Sequence, residues 1–153
     1  MEEYNLVYRG NSFEDPHIDP VPYTDSYFDI EIEKESELFY EMRKQNDMKP
    51  YKLSDESEEA KDEIKKFFND NKDTFLFLFS EEKEYIGSVL YLQNYIQSLC
   101  VDKKYQNKGY GKKLVMYVCN QILGKGHDSV KLKVFKMNQV ALHLYFDLGF
   151  VVV

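Results

Sequence analysis

Six consecutive residues, Gln106-Asn107-Lys108-Gly109-Tyr110-Gly111, have the composition and spacing of a turn that grips phosphate. Two glycines one residue apart let the backbone approach a ligand with no Cβ in the way. Where a helix starts at such a turn, its first N–H groups have no intrahelical acceptor and point outward, with the positive end of the helix dipole behind them. The result is an anion site, best suited to phosphate. Neither Gly-x-x-x-x-Gly-Lys-Ser/Thr nor Gly-x-Gly-x-x-Gly occurs, which excludes a nucleotide P-loop and a dinucleotide fingerprint. What remains is Gln-x-x-Gly-x-Gly, ringed by Lys103, Lys104, Lys108, Lys112 and Lys113. Alone, those lysines read as a solvated basic face; around a phosphate-type turn they suit a polyanion.

The flanking residues supply the elements that position this turn. Tyr95 to Val101 (YIQSLCV) is apolar and β-branched enough for a buried strand. A helix is expected from about Lys112, because Leu114, Val115, Val118, Cys119, Ile122 and Leu123 fall on one helical face, and Gly124 and Gly126 then end it. Further on, Asn138-Gln139-Val140-Ala141-Leu142-His143-Leu144-Tyr145-Phe146-Asp147-Leu148-Gly149-Phe150 reads as a helix that Asn138 can cap and Gly149 can stop.

With both stretches in view, the chain resembles the GNAT superfamily of N-acetyltransferases. The Gln106–Gly111 turn after a valine-ended strand looks like that family's acyl-coenzyme A loop, and Asn138 to Phe150 looks like its Asn…Ala…Leu-Tyr…Leu-Gly-Phe helix. The resemblance covers residues 95–150, more faintly back to about Thr74. It implies an α/β fold with a central mixed, twisted sheet flanked by helices. It also implies transfer of an acetyl group from acetyl-CoA to a primary amine of a small molecule or peptide, by direct attack in a ternary complex, with no metal. By the same resemblance, Gln106, Asn107, Lys108, Gly109, Tyr110, Gly111 and Lys112 hold the pyrophosphate, and backbone groups of Leu99 and Val101 take the pantetheine. Leu99 polarises the acetyl carbonyl, Asn138 contacts coenzyme A, and Tyr145 protonates the leaving thiolate. His143, about 200° round the helix from Tyr145, is read as a surface residue. Where some members carry a glutamate base on the central strand, this chain has Tyr95, so the base stays open. Tyr91, Tyr95 and residues 46–53 are the expected acceptor wall. A non-catalytic acyl-CoA-binding regulatory module is the alternative reading.

Composition sets wider bounds. At 153 residues the chain is expected to form a single domain, 1–153, with a core rich in its 13 Tyr and 11 Phe. Net charge is −7, but residues 1–75 hold 21 acidic against 10 basic residues, while 76–153 hold 6 against 10. Overall acidity and the lack of a reader motif argue against nucleic acid. No apolar run approaches a membrane span, and the acidic N-terminus has no signal-type region, so no membrane partner and a cytoplasmic location are expected. Cys100 and Cys119 read as buried, reduced thiols.

Along the chain, residues 1–26, with Pro16, Pro20 and Pro22, read as an irregular arm. Tyr27 to Glu33 alternates and reads as the first strand, followed by a helix from Ser36 to about Gln45. A second helix runs to about Phe68, capped by Ser54 or Ser57, with Ala60, Ile64, Phe67 and Phe68 inward. Thr74–Phe79 and Tyr85–Leu92 read as a hairpin, Gly87 marking a bulge or close backbone approach, and Val130–Phe135 as a later strand. The family ends in a further hairpin, whereas this sequence reaches Val151-Val152-Val153. The C-terminal hairpin is therefore expected to be absent, truncated, or supplied by a neighbouring chain in a homodimer.

Overall fold

The computed structural model describes residues 2–153 and has one seven-stranded mixed sheet. In chain order the elements are β1 (Glu3–Tyr8), β2 (Val21–Pro22), α1 (Phe28–Gln45), α2 (Glu58–Asp70), β3 (Phe75–Phe79), β4 (Tyr85–Leu92), β5 (Tyr95–Val101), α3 (Tyr110–Gly124), β6 (Val130–Phe135), α4 (Gln139–Leu148) and β7 (Val151–Val152). Across the sheet the order is β2-β3-β4-β5-β6-β1-β7. Only β5 and β6 are parallel; every other neighbouring pair is antiparallel.

Alternation along β3 divides the core between the two faces. Leu76 and Leu78 join the cluster under α3 and α4, which includes Leu114, Val118, Ile122 and Tyr145. Phe75 and Phe77 join an aromatic cluster with Tyr23, Phe28, Ile32 and Tyr85, against which Ile64 and Phe68 of α2 pack. Cys100 and Cys119 are buried free thiols, as expected.

The N-terminal third differs from its expected form. Residues 3–8 are not part of an irregular arm but the strand β1, lying between β6 (Leu6↔Leu132) and β7 (Leu6↔Val152). With a neighbour on each side it buries Leu6, Val7 and Tyr8 consecutively, so it lacks the alternation of a half-exposed strand. The segment after it is docked on α3, where Asn120 accepts from the Phe13 amide at 2.7 Å and donates to its carbonyl at 3.1 Å. Pro22 sits in the edge strand β2, where a missing N–H is tolerated. Met1 of that arm lies outside the described residues.

Tyr27 to Glu33 is likewise not a strand; Tyr27 is the N-cap of α1 and Phe28 to Glu33 are its first residues. Phe-Asp-Ile-Glu-Ile-Glu satisfies a period of two, but Phe28, Ile32 and Ser36 are buried at i, i+4 and i+8, and that helical period continues to Gln45. β1 takes the place of the misread strand ahead of the two helices, and the two-residue β2 is an addition to the expected order. Ser57, not Ser54, caps α2, accepting from the Ala60 amide at 3.1 Å. Phe67 points outward, 42% exposed, while Phe68 packs on Phe75.

Two buried features tie α1 and α3 to β4. The Glu31 carboxylate accepts from Tyr85 and Ser88 and forms no ion pair among the described residues. Burial raises its pKa from the ordinary 4.5 to about 7, opposed by those two hydrogen bonds and assisted by nearby Glu35. At Gly87, an added Cβ would lie 2.5 Å from the Cys100 carbonyl oxygen and 3.2 Å from Leu114, so the expected close backbone approach is present.

Each feature yields a prediction. The folded state binds the Glu31 proton more tightly than the unfolded chain, so this group's stabilising contribution is complete below about pH 4.5 and is lost as pH rises through about 7. Glu31→Gln should remove a pH-dependent loss of roughly 3 kcal/mol, read from urea unfolding at pH 5 and pH 8; identical pH slopes in the two proteins would show that the carboxyl does not titrate in that window. Gly87→Ala should cost roughly 2 kcal/mol or more through overpacking, whereas Gly124→Ala, with nothing within 4 Å of its Cβ, should cost nothing.

Candidate active site

The site is built where the two parallel strands part. β5 pairs with β6 only at Tyr95↔Lys131 and Ile96↔Leu132, after which β5 runs to Val101 beside β4 and β6 runs to Phe135 beside β1. A bulge marks the parting: Leu90 faces Ser98 and Tyr91 faces Ile96, so Gln97 has no partner in β4. One extra residue also switches which backbone groups face which neighbour. Before the bulge, Asn94 O accepts from Lys131 N at 2.9 Å, so even-numbered residues address β6. After it, Asp102 N donates to Ile86 O at 2.9 Å, so even-numbered residues address β4. By alternation, the N–H and C=O groups of Leu99 and Val101 turn to the open edge. The Val101 carbonyl there accepts from Gln106 Nε2 at 3.0 Å.

That bond draws the glycine turn over the end of β5. Gly109 is left-handed, φ +87°, and sits at the N-cap of α3 with no capping side chain; an added Cβ would meet nothing within 4 Å. The first intrahelical bond is Lys113 N–H to the Gly109 carbonyl, 3.1 Å, so the amides of Tyr110, Gly111 and Lys112 precede it. The three residues line a cavity of about 530 Å³, together with Leu99, Val101, Gln106, Asn107, Gly109 and Asn138. Of the residues named for cofactor binding, Lys108 is outside this lining, its Nζ lying 5.6 Å over the Tyr105 ring. The lysine ring is less free than the sequence suggests: Lys104 pairs with Glu84 at 2.7 Å and Lys112 with Asp147 at 3.2 Å. Asp147 lines the cavity too, so Lys112 offsets a carboxylate beside the anion turn.

A second cavity, about 470 Å³, lies on the other side of Leu99. The two share Phe39, Leu99, Asn138 and Ala141 as walls. Asn138 does double duty, since its side chain caps α4 by accepting from the Ala141 amide at 3.2 Å. Tyr145 belongs to this second cavity, its ring edge-on to Phe150 at 5.5 Å. Burial, with the Cys119 and Cys100 thiols nearby, raises its pKa above that of an ordinary phenol, so it stays protonated. His143 is exposed, as its helical angle implies. A smaller cavity of about 290 Å³ between α1 and α2 touches none of these residues.

The expected acceptor wall is met in part. Tyr95 and Met48 line the second cavity, but Tyr91 does not; it is buried among the residues under α3, with its hydroxyl accepting from Lys125 at 2.9 Å. Sequence reasoning missed α1's contribution: Leu38 and Phe39 line the first cavity, and Glu35, Phe39, Met42 and Arg43 the second. The signal was present in Glu31, Glu33, Glu35 and Glu37, which look like one solvated run until residues 28–45 are read as a helix. Helical geometry then separates buried Glu31 and half-buried Glu35 from exposed Glu33 and Glu37.

Residues 19–150 match the acetyltransferase (GNAT) family. A 53-residue stretch, 35% of this chain, is 38% identical to the [ribosomal protein bS18]-alanine N-acetyltransferase of Haemophilus ducreyi, and spans 37% of that protein. A GCN5-related N-acetyltransferase from Sphaerobacter thermophilus superposes on 99% of this chain with a TM-score of 0.70 at 15% identity, this chain spanning 48% of its length. A GNAT acetyltransferase from Colwellia psychrerythraea gives 0.71 at 9% identity, with 99% of this chain and 52% of that one covered. A GNAT acetyltransferase from Staphylococcus aureus gives 0.60 at 19% identity, with 86% and 83% covered. At these identities the structural likeness speaks to the fold, and with the family match over most of its length the chain belongs to the GNAT acetyltransferase family.

Proposed function

We propose that this protein is an N-acetyltransferase that takes acetyl-CoA into the cavity under the glycine turn and a primary amine into the cavity beside Tyr145. The observation that carries this reading is the meeting of the two cavities across Leu99, Phe39, Asn138 and Ala141, at the gap between β5 and β6. Direct transfer needs both reactants held together, and two lobes sharing a wall at an open strand edge supply that proximity.

Each residue has a role under this reading. The amides of Tyr110, Gly111 and Lys112 bind the pyrophosphate, and the bare Cα of Gly109 lets it approach. Gln106 fixes the turn to β5 through the Val101 carbonyl. The Leu99 amide, freed by the bulge, donates to the acetyl oxygen as negative charge develops on it. The neutral amine's nitrogen bonds to the carbonyl carbon and gives up a proton to water, the carbon–sulfur bond breaks, and the thiolate leaves. Tyr145 then donates a hydrogen bond to that sulfur. Its proton is held more tightly than an ordinary phenol's, while a free thiol of pKa about 8.5 is the stronger acid. Stabilisation of the thiolate, with final protonation from water, is therefore favoured over outright proton transfer from Tyr145.

Thiol release from acetyl-CoA in the presence of an amine panel tests the activity; turnover above the amine-free rate is expected, and binding without turnover on any amine would favour a regulatory acyl-CoA module. Tyr145→Phe should leave acetyl-CoA affinity within about twofold while lowering kcat by roughly a hundredfold through loss of one donor to the developing thiolate, and equal kcat values would return Tyr145 to a packing role. Gly109→Glu and Gly126→Glu both place a side chain at a left-handed position with open space around it, so each should cost about 1 kcal/mol of stability. Only the substitution at Gly109 should abolish acetyl-CoA binding; retained affinity there would remove the turn from the site.

A further inference from the structure

The cavity beside Tyr145 is walled largely by apolar groups, among them Phe39, Met42, Ile96 and Leu132, yet α1 places an ion pair in it. Arg43 reaches back along the helix and clasps Glu35 through both guanidinium nitrogens, Nη1 to Oε2 at 3.2 Å and Nη2 to Oε1. The two side chains are 18% and 13% exposed. Drawing such a pair out of water gains little stability in itself, because desolvation offsets the attraction. The arrangement does fix a carboxylate in an apolar chamber. An ionised carboxylate has about four acceptor positions; the guanidinium fork occupies one on each oxygen, so acceptor positions remain.

We propose that Glu35 is the acceptor-binding residue, holding the incoming amine as its ammonium until it loses a proton to water and can attack, and that Arg43 is a positioning residue that keeps Glu35 aimed into the cavity. This rests on the acetyl-transfer reading only in calling the bound amine an acceptor. The same geometry selects the substrate class. The Arg43 fork is already engaged, and an ammonium seated on Glu35 would bring a carboxylate on its α-carbon close to the same anion. The cavity's other charged groups, Glu3 and Lys133, are exposed side chains. The class is therefore a primary amine on an apolar body with no free carboxylate on its α-carbon, such as an arylalkylamine.

Titration of 2-phenylethylamine and of L-phenylalanine into the intact protein without acetyl-CoA tests the site independently of turnover. Saturable binding of 2-phenylethylamine is expected, at least roughly tenfold tighter than that of L-phenylalanine and at least roughly tenfold weaker in Glu35→Gln. Glu35→Asp keeps the charge but draws it back, and should fall between the two. Arg43→Gln should weaken the amine and Arg43→Lys should restore part of the loss, which a merely structural arginine would not show. In acetylation assays Glu35→Gln should raise KM for the amine with acetyl-CoA affinity unchanged. No binding of 2-phenylethylamine, equal amine affinity in folded wild type and Glu35→Gln, or L-phenylalanine bound as tightly as 2-phenylethylamine would each overturn the proposal. Amine binding as described in a protein that does not bind acetyl-CoA would instead overturn the acetyl-transfer reading and leave Glu35 as an amine site.

Discussion

After Ile96, β5 and β6 stop sharing hydrogen bonds, and the rest of the molecule is arranged around the gap. Opening a sheet exposes peptide groups that would ordinarily be paired, at a cost comparable to lost hydrogen bonds. Here the extra residue at Gln97 leaves β5 paired to β4 on either side of it while turning Leu99 and Val101 outward on the other edge. One of the exposed groups, the Val101 carbonyl, is satisfied by Gln106, and that same bond sets the anion turn at the mouth of the gap. A local defect in a ladder thus fixes both the free backbone groups of β5 and the place of the glycine turn.

A gap in a sheet holds its shape only if its walls are held from behind. α1 is the wall that carries Glu35 and Phe39, and three contacts secure it. Glu31 is bound by Tyr85 and Ser88 of β4. Lys34 meets Asp102, just past β5, at 3.0 Å. The Ser36 hydroxyl accepts from the Ser54 amide at 3.1 Å, joining α1 to the segment that precedes α2. Opposite, α4 is held by the cap at Asn138 and by the stop at Gly149, whose φ of +100° lets the chain turn so that Phe150 packs on Tyr145. Both walls are thus braced at residues that also line the cavities or adjoin those that do.

Much of this was legible in the sequence where local chemistry and global position agree. β4, β5 and β6 begin and end where their composition predicts, and α4 starts after its Asn cap and stops at its glycine. The glycine turn and Asn138, recognised by motif, line one cavity, and Tyr145 lines the one that adjoins it. The failures have equally specific causes. β1 shows no alternation because it is an inner strand, and α1 begins with six residues whose pattern serves two periods. The bulge at Gln97 carries no glycine or proline to announce it, and its effect on Leu99 depends on pairing with two distant strands. Glu35 was hidden among four alternate glutamates, because which two of them turn inward is a property of the packed helix.

Residue-resolved amide shifts on titration with acetyl-CoA test most directly whether it binds in the parted strands under the glycine turn. Saturable shifts confined to the amides of 98–101 and 107–113, with β1 and the distal end of α2 unmoved, are what this geometry predicts. Saturable binding whose shifts fall elsewhere, or folded protein that shows none, would contradict it.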